Sequence, residues 1–450
     1  MKYRTTLCSK SGVYPIPIFT KPQSCGGECI FCPTESGFPK SYIANEDTLF
    51  AQSCEYSPRL QFSRFIQRLP KTLQDKPLPC EIIILGGSFL AHSKEYRQKF
   101  LNELYSCMSS HIGDFDMTDP WETSGYRPSI VTVESRPDQI DYAECKFMRK
   151  LGISRVELGV QHTSDKVLDF NCRGHNQTSV ISATQLLKDE GFKVGYHIIL
   201  GLPNATTDDD YAMLTDTLWR PEYSPDYIKI YPCILLKQPS YQPKLSKLYH
   251  SGKWSPQSES VTVSLLKALS EVMPHNVRIS RIQRQFDGHS SYSGSRPGLR
   301  SRAGIAFPDI RSREIGQNLP ATSIDSMDIA NPLITKTDQD ITVELLYQGN
   351  VLVALARVRF RSPCTLVLRE LRVYGDATPV GFQGYVQGRG FGKMLLGIIE
   401  NLCTAYEAET LFVNASFGAR PFFRMHGFTS TSDGFLKKKI NFCNNKQIGG

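Results

Sequence analysis

EIIILGGSF, Glu81 to Phe89, is an apolar run that ends on two glycines. It falls far short of the roughly 20 residues a membrane helix needs, and bounded by turn signals it reads as a strand. Similar runs recur along the first two thirds of the chain: SIVTVES from Ser129, SRVELGVQ from Ser154, KVGYHIILGLP from Lys193, DYIKIYPCILL from Asp226 and VRISRIQR from Val277. Longer helix-like stretches such as KEYRQKFLNELYSCMSS and SVISATQLLKDEG lie between them. Strands alternating with helices at this spacing predict a parallel α/β sheet, open or closed into a barrel, with about six units reaching roughly residue 285.

The pattern then stops. FDGHSSYSGSRPGLRSRAG is rich in Gly, Ser and Arg, has no periodicity and reads as a loop or linker. A second pattern begins near Asp338, where DITVELLYQ and VLVALARVRF flank Gly-Asn as a β-hairpin and LVLRELRVYG is a further strand. A Gly-rich turn, a helix, the strand LFVNAS, a short helix and a last strand, GFLKKKI, complete a small α+β domain of roughly 110 residues. The expected organisation is one domain over 1–290, a linker over 291–336 and a second domain over 337–450.

Composition agrees with two folded domains. The 450 residues are 40% hydrophobic and 21% charged, which excludes disordered and fibrous classes. No run is long enough to span a membrane and the N-terminal residues lead into no signal-like segment, so a cytoplasmic location is expected. Thirteen cysteines, an odd count at irregular spacing, argue against a secreted disulfide framework and for reduced thiols with a metal site. The net charge is 52 minus 44, or +8. Residues 271–320 hold eight Arg, no Lys and four acids, hence half of that excess. Clustered arginine suits phosphate recognition; a solvated surface is the plainer reading.

Upstream of the first run stands CGGECIFC, Cys25 to Cys32, with cysteines spaced C-x3-C-x2-C. A structural zinc site takes four Cys or His ligands, and Cys25, Cys29 and Cys32 supply three with no His close behind; a knuckle borrowing a remote ligand and three packed thiols are the alternatives. The spacing lets one loop wrap three irons of a [4Fe-4S] cube and leave the fourth open to chelate a small molecule, the signature of radical S-adenosylmethionine enzymes. Gly86 and Gly87, ending the run at Leu85, would let a ligand amino group approach the backbone. Glu134 ends a strand where α/β folds place ligand sites. His197, in an apolar strand, is at least as well explained as a satisfied core residue.

QGRGFGKML, Gln387 to Leu395, fits Q-x-x-G-x-G running into a helix. Unobstructed N–H groups at a helix N-terminus suit a pyrophosphate, and GNAT acetyltransferases hold coenzyme A this way. ELRVYG before it would be the splayed strand that pairs with the pantetheine arm.

Taken together, SGVYPI, LGGSF, ESRPD, RVELGVQ, RGH, GFKVGYHIILGLPN, IKIYP, RISRIQR, RSREIG, ELRVYG, QGRGFG and RPFFRMHGF resemble, in order, motifs of the Elongator catalytic subunit family, from about Ser11 to Lys439. The resemblance implies a radical S-adenosylmethionine partial (β/α) barrel followed by a GNAT domain. It implies conversion of carbon 5 of the wobble uridine in tRNA to a carboxymethyl group. The route the resemblance implies is that a 5′-deoxyadenosyl radical would take a hydrogen from the methyl of acetyl-CoA, the carbon radical would add to uracil, and thioester hydrolysis would release coenzyme A. The alternatives are an acetyltransferase acting on protein or a small molecule, and a non-catalytic tRNA-binding relic.

Carried over by position, Cys25, Cys29 and Cys32 would hold the cluster; Gly86, Gly87 and Glu134 stand beside them as the cofactor or substrate contacts that their strand-end positions suggest. Glu370, Leu371, Arg372, Val373, Val386, Gln387, Gly388 and Phe423 would surround acetyl-CoA, and the glycine turn itself adds Gly390 and Gly392 as cofactor contacts. Arg278, Arg281, Arg284 and the arginines of SRPGLRSR are candidate RNA contacts, on charge and position only. Expected partners are tRNA, acetyl-CoA, and other Elongator-type subunits or a second copy of the chain, with no membrane.

This chain departs from the family pattern in several places. The first two cysteines lack the family's longer insert, Phe422 and Phe423 replace a tyrosine pair, Pro79 replaces a lysine with Lys76 nearby, and Phe307 replaces a linker cysteine. Only 24 residues precede Cys25, from which weaker tRNA affinity is expected.

Overall fold

The computed structural model describes residues 10–74, 76–109, 126–283, 291–294, 298–317, 319–320 and 322–440. Seven strands lie side by side in chain order, all parallel: β1 Tyr14–Phe19, β2 Pro79–Leu85, β3 Arg127–Ser135, β4 Arg155–Gln161, β5 Lys193–Leu200, β6 Tyr227–Pro232 and β7 Arg278–Ile282. The six runs read as strands are β2 to β7. β1 was not among them, because Pro15 and Pro17 interrupt its pattern. It forms an edge strand, where a missing N–H costs no ladder bond. Residues of the same parity face away from β2, as the Phe19 N–H shows by donating to Gln61 Oε1 at 2.9 Å rather than to its neighbour strand.

The period of two sorts the strands into two faces. Ile82, Ile84, Val131, Val133, Val156, Leu158, Val194, Tyr196, Ile228 and Ile230 are at most 1% exposed and pack under helices. One of these is α1 (Lys94–Met108), capped by Ser93 and burying Phe100, Leu101, Leu104, Tyr105 and Met108 at helical spacing. Each such side chain contributes about 1.5–3 kcal/mol by leaving water. The opposite face carries Glu81, Arg155, Glu157, His197 and Lys229, which surround a cavity. The sheet is a partial barrel with an apolar outside and a charged inside.

A second, mixed sheet follows: β8 Leu333–Lys336, β9 Asp340–Tyr347, β10 Val351–Ser362, β11 Thr365–Val373, β12 Thr410–Val413, β13 Thr429–Ser430 and β14 Leu436–Lys439, in the order β8-β9-β10-β11-β12-β14-β13. Every pairing is antiparallel except β11 with β12, which needs a crossover; α2 (Phe391–Ala405) supplies it and buries Phe391, Leu395, Leu396, Ile399 and Cys403. Short α3 (Arg420–Met425) precedes the last hairpin. β11 stays paired with β10 as far as Val373, but with β12 only as far as Leu368, so the two parallel strands splay apart over residues 369–373.

Charged side chains fill the seam between the sheets. Arg369 clasps Asp226 through both guanidinium nitrogens at 2.6 and 2.9 Å, and Arg357 pairs with Glu370 at 2.9 Å, while Tyr227 also donates to Glu370. Lys188–Asp340 at 3.1 Å and Arg361–Glu190 at 2.8 Å extend the seam. Burial alone would raise the Asp226 carboxyl, yet Arg369 and then Arg357 hold it well below the ordinary carboxylate range. Among the described residues no helix is long and apolar enough to cross a membrane.

Candidate active site

The cysteine loop lies over the C-terminal ends of the parallel strands. Gly26 turns at φ 73, and the Cys32 N–H donates to the Cys29 carbonyl at 3.2 Å, closing a tight turn. Gly27 is required by a neighbour: a Cβ there would overlap Arg136 Nη1. That nitrogen is buried without a hydrogen-bond partner, although the same guanidinium binds Asp138 at 3.0 Å and the Arg173 carbonyl at 3.0 Å. Arg173 Nη1 lies 3.6 Å from Cys29 Sγ. Three thiols beside two guanidinium groups, one with an unspent N–H, match an anionic iron–sulfur cluster, since positive surroundings favour thiolate.

Cys25, Cys29 and Cys32 line a cavity of about 580 Å³ together with Gly87, Glu134, Arg278, Arg281 and Arg372. Glu134 accepts from the Tyr42 hydroxyl at 3.2 Å. Gly87 borders the cavity at φ 91, whereas Gly86, at φ 135, is pressed against Thr20, whose Oγ1 a Cβ would overlap. The glycine pair therefore divides: one residue faces the ligand space and the other seats β2 against β1.

Midway down the cavity, Glu157 accepts from Lys229 Nζ and from His197 Nε2 at 3.0 Å. Burial opposes the Glu157 charge, but Lys229, His197 and Arg155 hold its carboxyl well below the ordinary range; the Glu157 charge in turn raises Lys229 against its own desolvation. At the far end Arg155 pairs with Glu81, and Arg372 donates to the Ser11 carbonyl at 3.0 Å. The space thus runs from the cysteines to a side chain of the second sheet's splayed strand.

The residues expected around acetyl-CoA separate by strand parity. Glu370 and Arg372 turn into the seam and the cavity, while Leu371 faces the turn before α2. A Cβ added to Gly392 would sit 3.4 Å from Phe422 and 3.6 Å from Leu371. Gly388 and Gly390 take φ 76 and 87, and Gly390 has open space where a side chain would stand. Gln387 Nε2 donates to the carbonyls of Val373 at 3.0 Å and Gly12 at 2.9 Å, tying the turn to β11 and to the segment before β1. Val386 is buried beneath Gly375.

Four further expected contacts, Phe423, Arg278, Arg300 and Arg302, have side chains held by partners within the protein. Phe423 is 5% exposed and packs edge-on against Phe428 in the core, so Phe422 is the ring that meets the turn. Arg278 is clasped by Glu314 and donates to Ser11 Oγ at 3.0 Å, which makes it a clamp rather than a free phosphate contact. Arg300 and Arg302 are likewise paired, with Asp309 and Glu259. Arg281 is exposed at the cavity wall, and Arg284 and Arg296 lie outside the described residues.

Sequence reasoning passed over Glu157, Lys229, Arg155 and Glu81. Their signal is a charge inside an apolar run at every second position, as in YIKIYP and RVELGVQ.

Residues 21–216 match the radical SAM superfamily and residues 383–446 match the acetyltransferase (GNAT) domain. A protein of Dehalococcoides mccartyi named tRNA uridine(34) acetyltransferase is 30% identical, covering 96% of this chain and 98% of its own. Human Elongator complex protein 3 is 28% identical over 93% of this chain and 82% of its own. The structure of Methanocaldococcus infernus Elp3 with an N-terminal deletion superposes with a TM-score of 0.77 at 25% identity, covering 95% of this chain and 99% of that one. A radical SAM domain works with a [4Fe-4S] cluster and S-adenosylmethionine, and a GNAT domain with acetyl-CoA.

Proposed function

Because this chain belongs to the family of Elongator complex protein 3 and the tRNA uridine(34) acetyltransferases, we propose that it modifies the wobble uridine of tRNA. The product is a carboxymethyl group on carbon 5, drawn from the acetyl group of acetyl-CoA. One observation supports this above the others: a single cavity has the three cysteines at one end and Arg372 of the second sheet at the other. A plain acetyltransferase has no use for a chamber joining its acyl-donor strand to a cluster loop.

Cys25, Cys29 and Cys32 hold the cluster, with Arg136 and Arg173 balancing its charge. When bound, the cluster and S-adenosylmethionine supply a 5′-deoxyadenosyl radical, which is reactive enough to take hydrogen from an unactivated methyl group. The Gly87 main chain, which borders the cavity, receives the amino end of S-adenosylmethionine. The N–H groups from Gly388 onward receive the pyrophosphate of coenzyme A at the start of α2, and the splayed edge of β11 offers its main chain to the pantetheine arm. Leu371 and Phe422 present apolar surface there, and with phenylalanine at 422 and 423 neither position offers a hydroxyl for thioester hydrolysis.

Mass spectrometry of tRNA nucleosides from cells carrying the wild-type or the Cys29→Ala chain tests the reading. Loss of carboxymethyl-type uridines in the variant is expected. An unchanged nucleoside profile contradicts it.

A further inference from the structure

The charged layer halfway along the cavity is built in a way its neighbours are not. His197 and Lys229 are adjacent across β5 and β6, and Glu157 reaches them past Gly195, where a Cβ would stand 3.1 Å from Glu157 Cγ. Glu157 is spent: one oxygen accepts from both partners and the side chain is 3% exposed. Lys229 is not, because an ammonium has three donors, one goes to Glu157, and the side chain keeps 14% exposure on the cavity wall. Glu134 stands alongside, its oxygen within 4.8 Å of those of Glu157 and of the His197 ring nitrogen. These two carboxylates and one imidazole have metal-ligand chemistry, but the Lys229 ammonium already supplies the positive charge they would draw.

The result is a directed donor with spare N–H groups beside a carboxylate acceptor, facing space large enough for a nucleobase. Uracil presents carbonyl oxygens flanking an N3–H, which is the complement of an ammonium next to a carboxylate. Cytosine presents an amino group and an unprotonated N3, the reverse pattern. We propose that Lys229, oriented by Glu157 and His197, donates to a uracil carbonyl while Glu134 accepts from N3–H, so that this layer selects uracil over cytosine in the chamber. The inference rests on the tRNA-uridine reading above and adds to it the groups that read the base. Lys229 and Glu134 contact the base; Glu157 and His197 position Lys229.

The test uses the full chain, reconstituted anaerobically with iron and sulfide and supplied with S-adenosylmethionine and acetyl-CoA, on transcripts that differ only at position 34. With the wild-type chain, 5′-deoxyadenosine formation is expected to favour uridine over cytidine by about 10- to 100-fold, the range for one well-placed hydrogen-bond pair. A paired Glu157→Gln/Lys229→Met chain removes both charges together, so that neither remains buried and unpaired. Its selectivity is expected to fall at least threefold below the wild-type value, with iron content unchanged. Selectivity that stays at the wild-type value in the folded, iron-loaded variant overturns the proposal. Should the variant fail to fold, the wild-type chain decides the matter on a transcript carrying 3-methyluridine at that position, which lacks N3–H. A loss of at least tenfold supports the proposal, and turnover equal to uridine overturns it. No 5′-deoxyadenosine with any transcript defeats the functional reading itself, and the inference falls with it.

Discussion

Asp226 and Glu157 are both 2% exposed carboxylates held charged by basic partners, yet they do opposite jobs. Asp226 lies in the seam, where Arg369 and Arg357 are themselves 2% and 5% exposed and every direction ends in protein. Glu157 lies in the chamber, where its partner Lys229 borders open space. A buried charge whose partners are also enclosed is there to fix two sheets in one orientation. A buried charge whose partner keeps free donors toward a cavity is there for a ligand. The seam therefore governs stability and the chamber governs chemistry, and each can be broken separately.

The largest effect is expected in the seam. Asp226→Ala takes the bidentate partner from buried Arg369, leaving it Asp340 at 3.3 Å, and leaves Arg357 with Glu370 alone; breaking a buried pair in this way costs up to about 3–5 kcal/mol and should yield insoluble protein or a markedly lowered thermal midpoint by circular dichroism. A wild-type melt would erase the distinction. Gly12→Ala comes next. Gly12 sits at φ 87, where a Cβ would overlap the Val373 carbonyl and Gln387 Nε2, so the strain of about 1–3 kcal/mol should lower the midpoint and weaken coenzyme A binding in calorimetry.

Acid should act in two windows. Burial, with Lys21 and Arg97 nearby, pushes His92 down from its ordinary 6.5 to about 4, so the unfolded chain takes up a proton there that the folded chain refuses. Stability contributed by neutral His92 is present above pH 6.5 and lost as pH falls toward 4. The depressed carboxyls of Asp226, Glu370 and Asp340 add a second loss that begins at about pH 5, as their unfolded forms protonate, and steepens below it. Denaturant midpoints measured from pH 8 to pH 3 should decline slowly and then steeply; a flat profile to pH 4 would remove the His92 contribution. In the chamber, Cys29→Ala should abolish iron absorbance after anaerobic reconstitution and leave the melt of the iron-free protein unchanged. The smallest change is expected from Arg302→Ala, whose pair with Glu259 is 38% and 39% exposed and worth at most about 1 kcal/mol.

Much of this architecture was legible in the chain. Six of the seven parallel strands, the hairpin and the glycine turn follow from apolar runs and their punctuation, because those signals are local. β1 was hidden by Pro15 and Pro17, whose cost vanishes only at a sheet edge that the sequence does not mark. The cysteines, Gly87 and Glu134 share one cavity as their motifs implied. For Glu370 and Phe423 the sequence does not show the side-chain direction: strand parity turns Glu370 toward the other sheet, and helix packing turns Phe423 inward. Charge and position offer Arg278 as an RNA contact, and its pairing is hidden because its partner Glu314 lies 36 positions away in the chain. Long-range pairing of this kind is what a one-dimensional reading misses.

The central claim is that one chamber joins the cluster loop to the acetyl-CoA strand, and isotope transfer tests it most directly. Acetyl-CoA deuterated at the methyl group is incubated anaerobically with the reconstituted chain, S-adenosylmethionine, reductant and tRNA, and the 5′-deoxyadenosine is weighed by mass spectrometry. Incorporation of one deuterium, dependent on tRNA, is the predicted result. 5′-Deoxyadenosine that forms without any deuterium would show that the two ends of the chamber do not meet on one substrate, and would contradict the account.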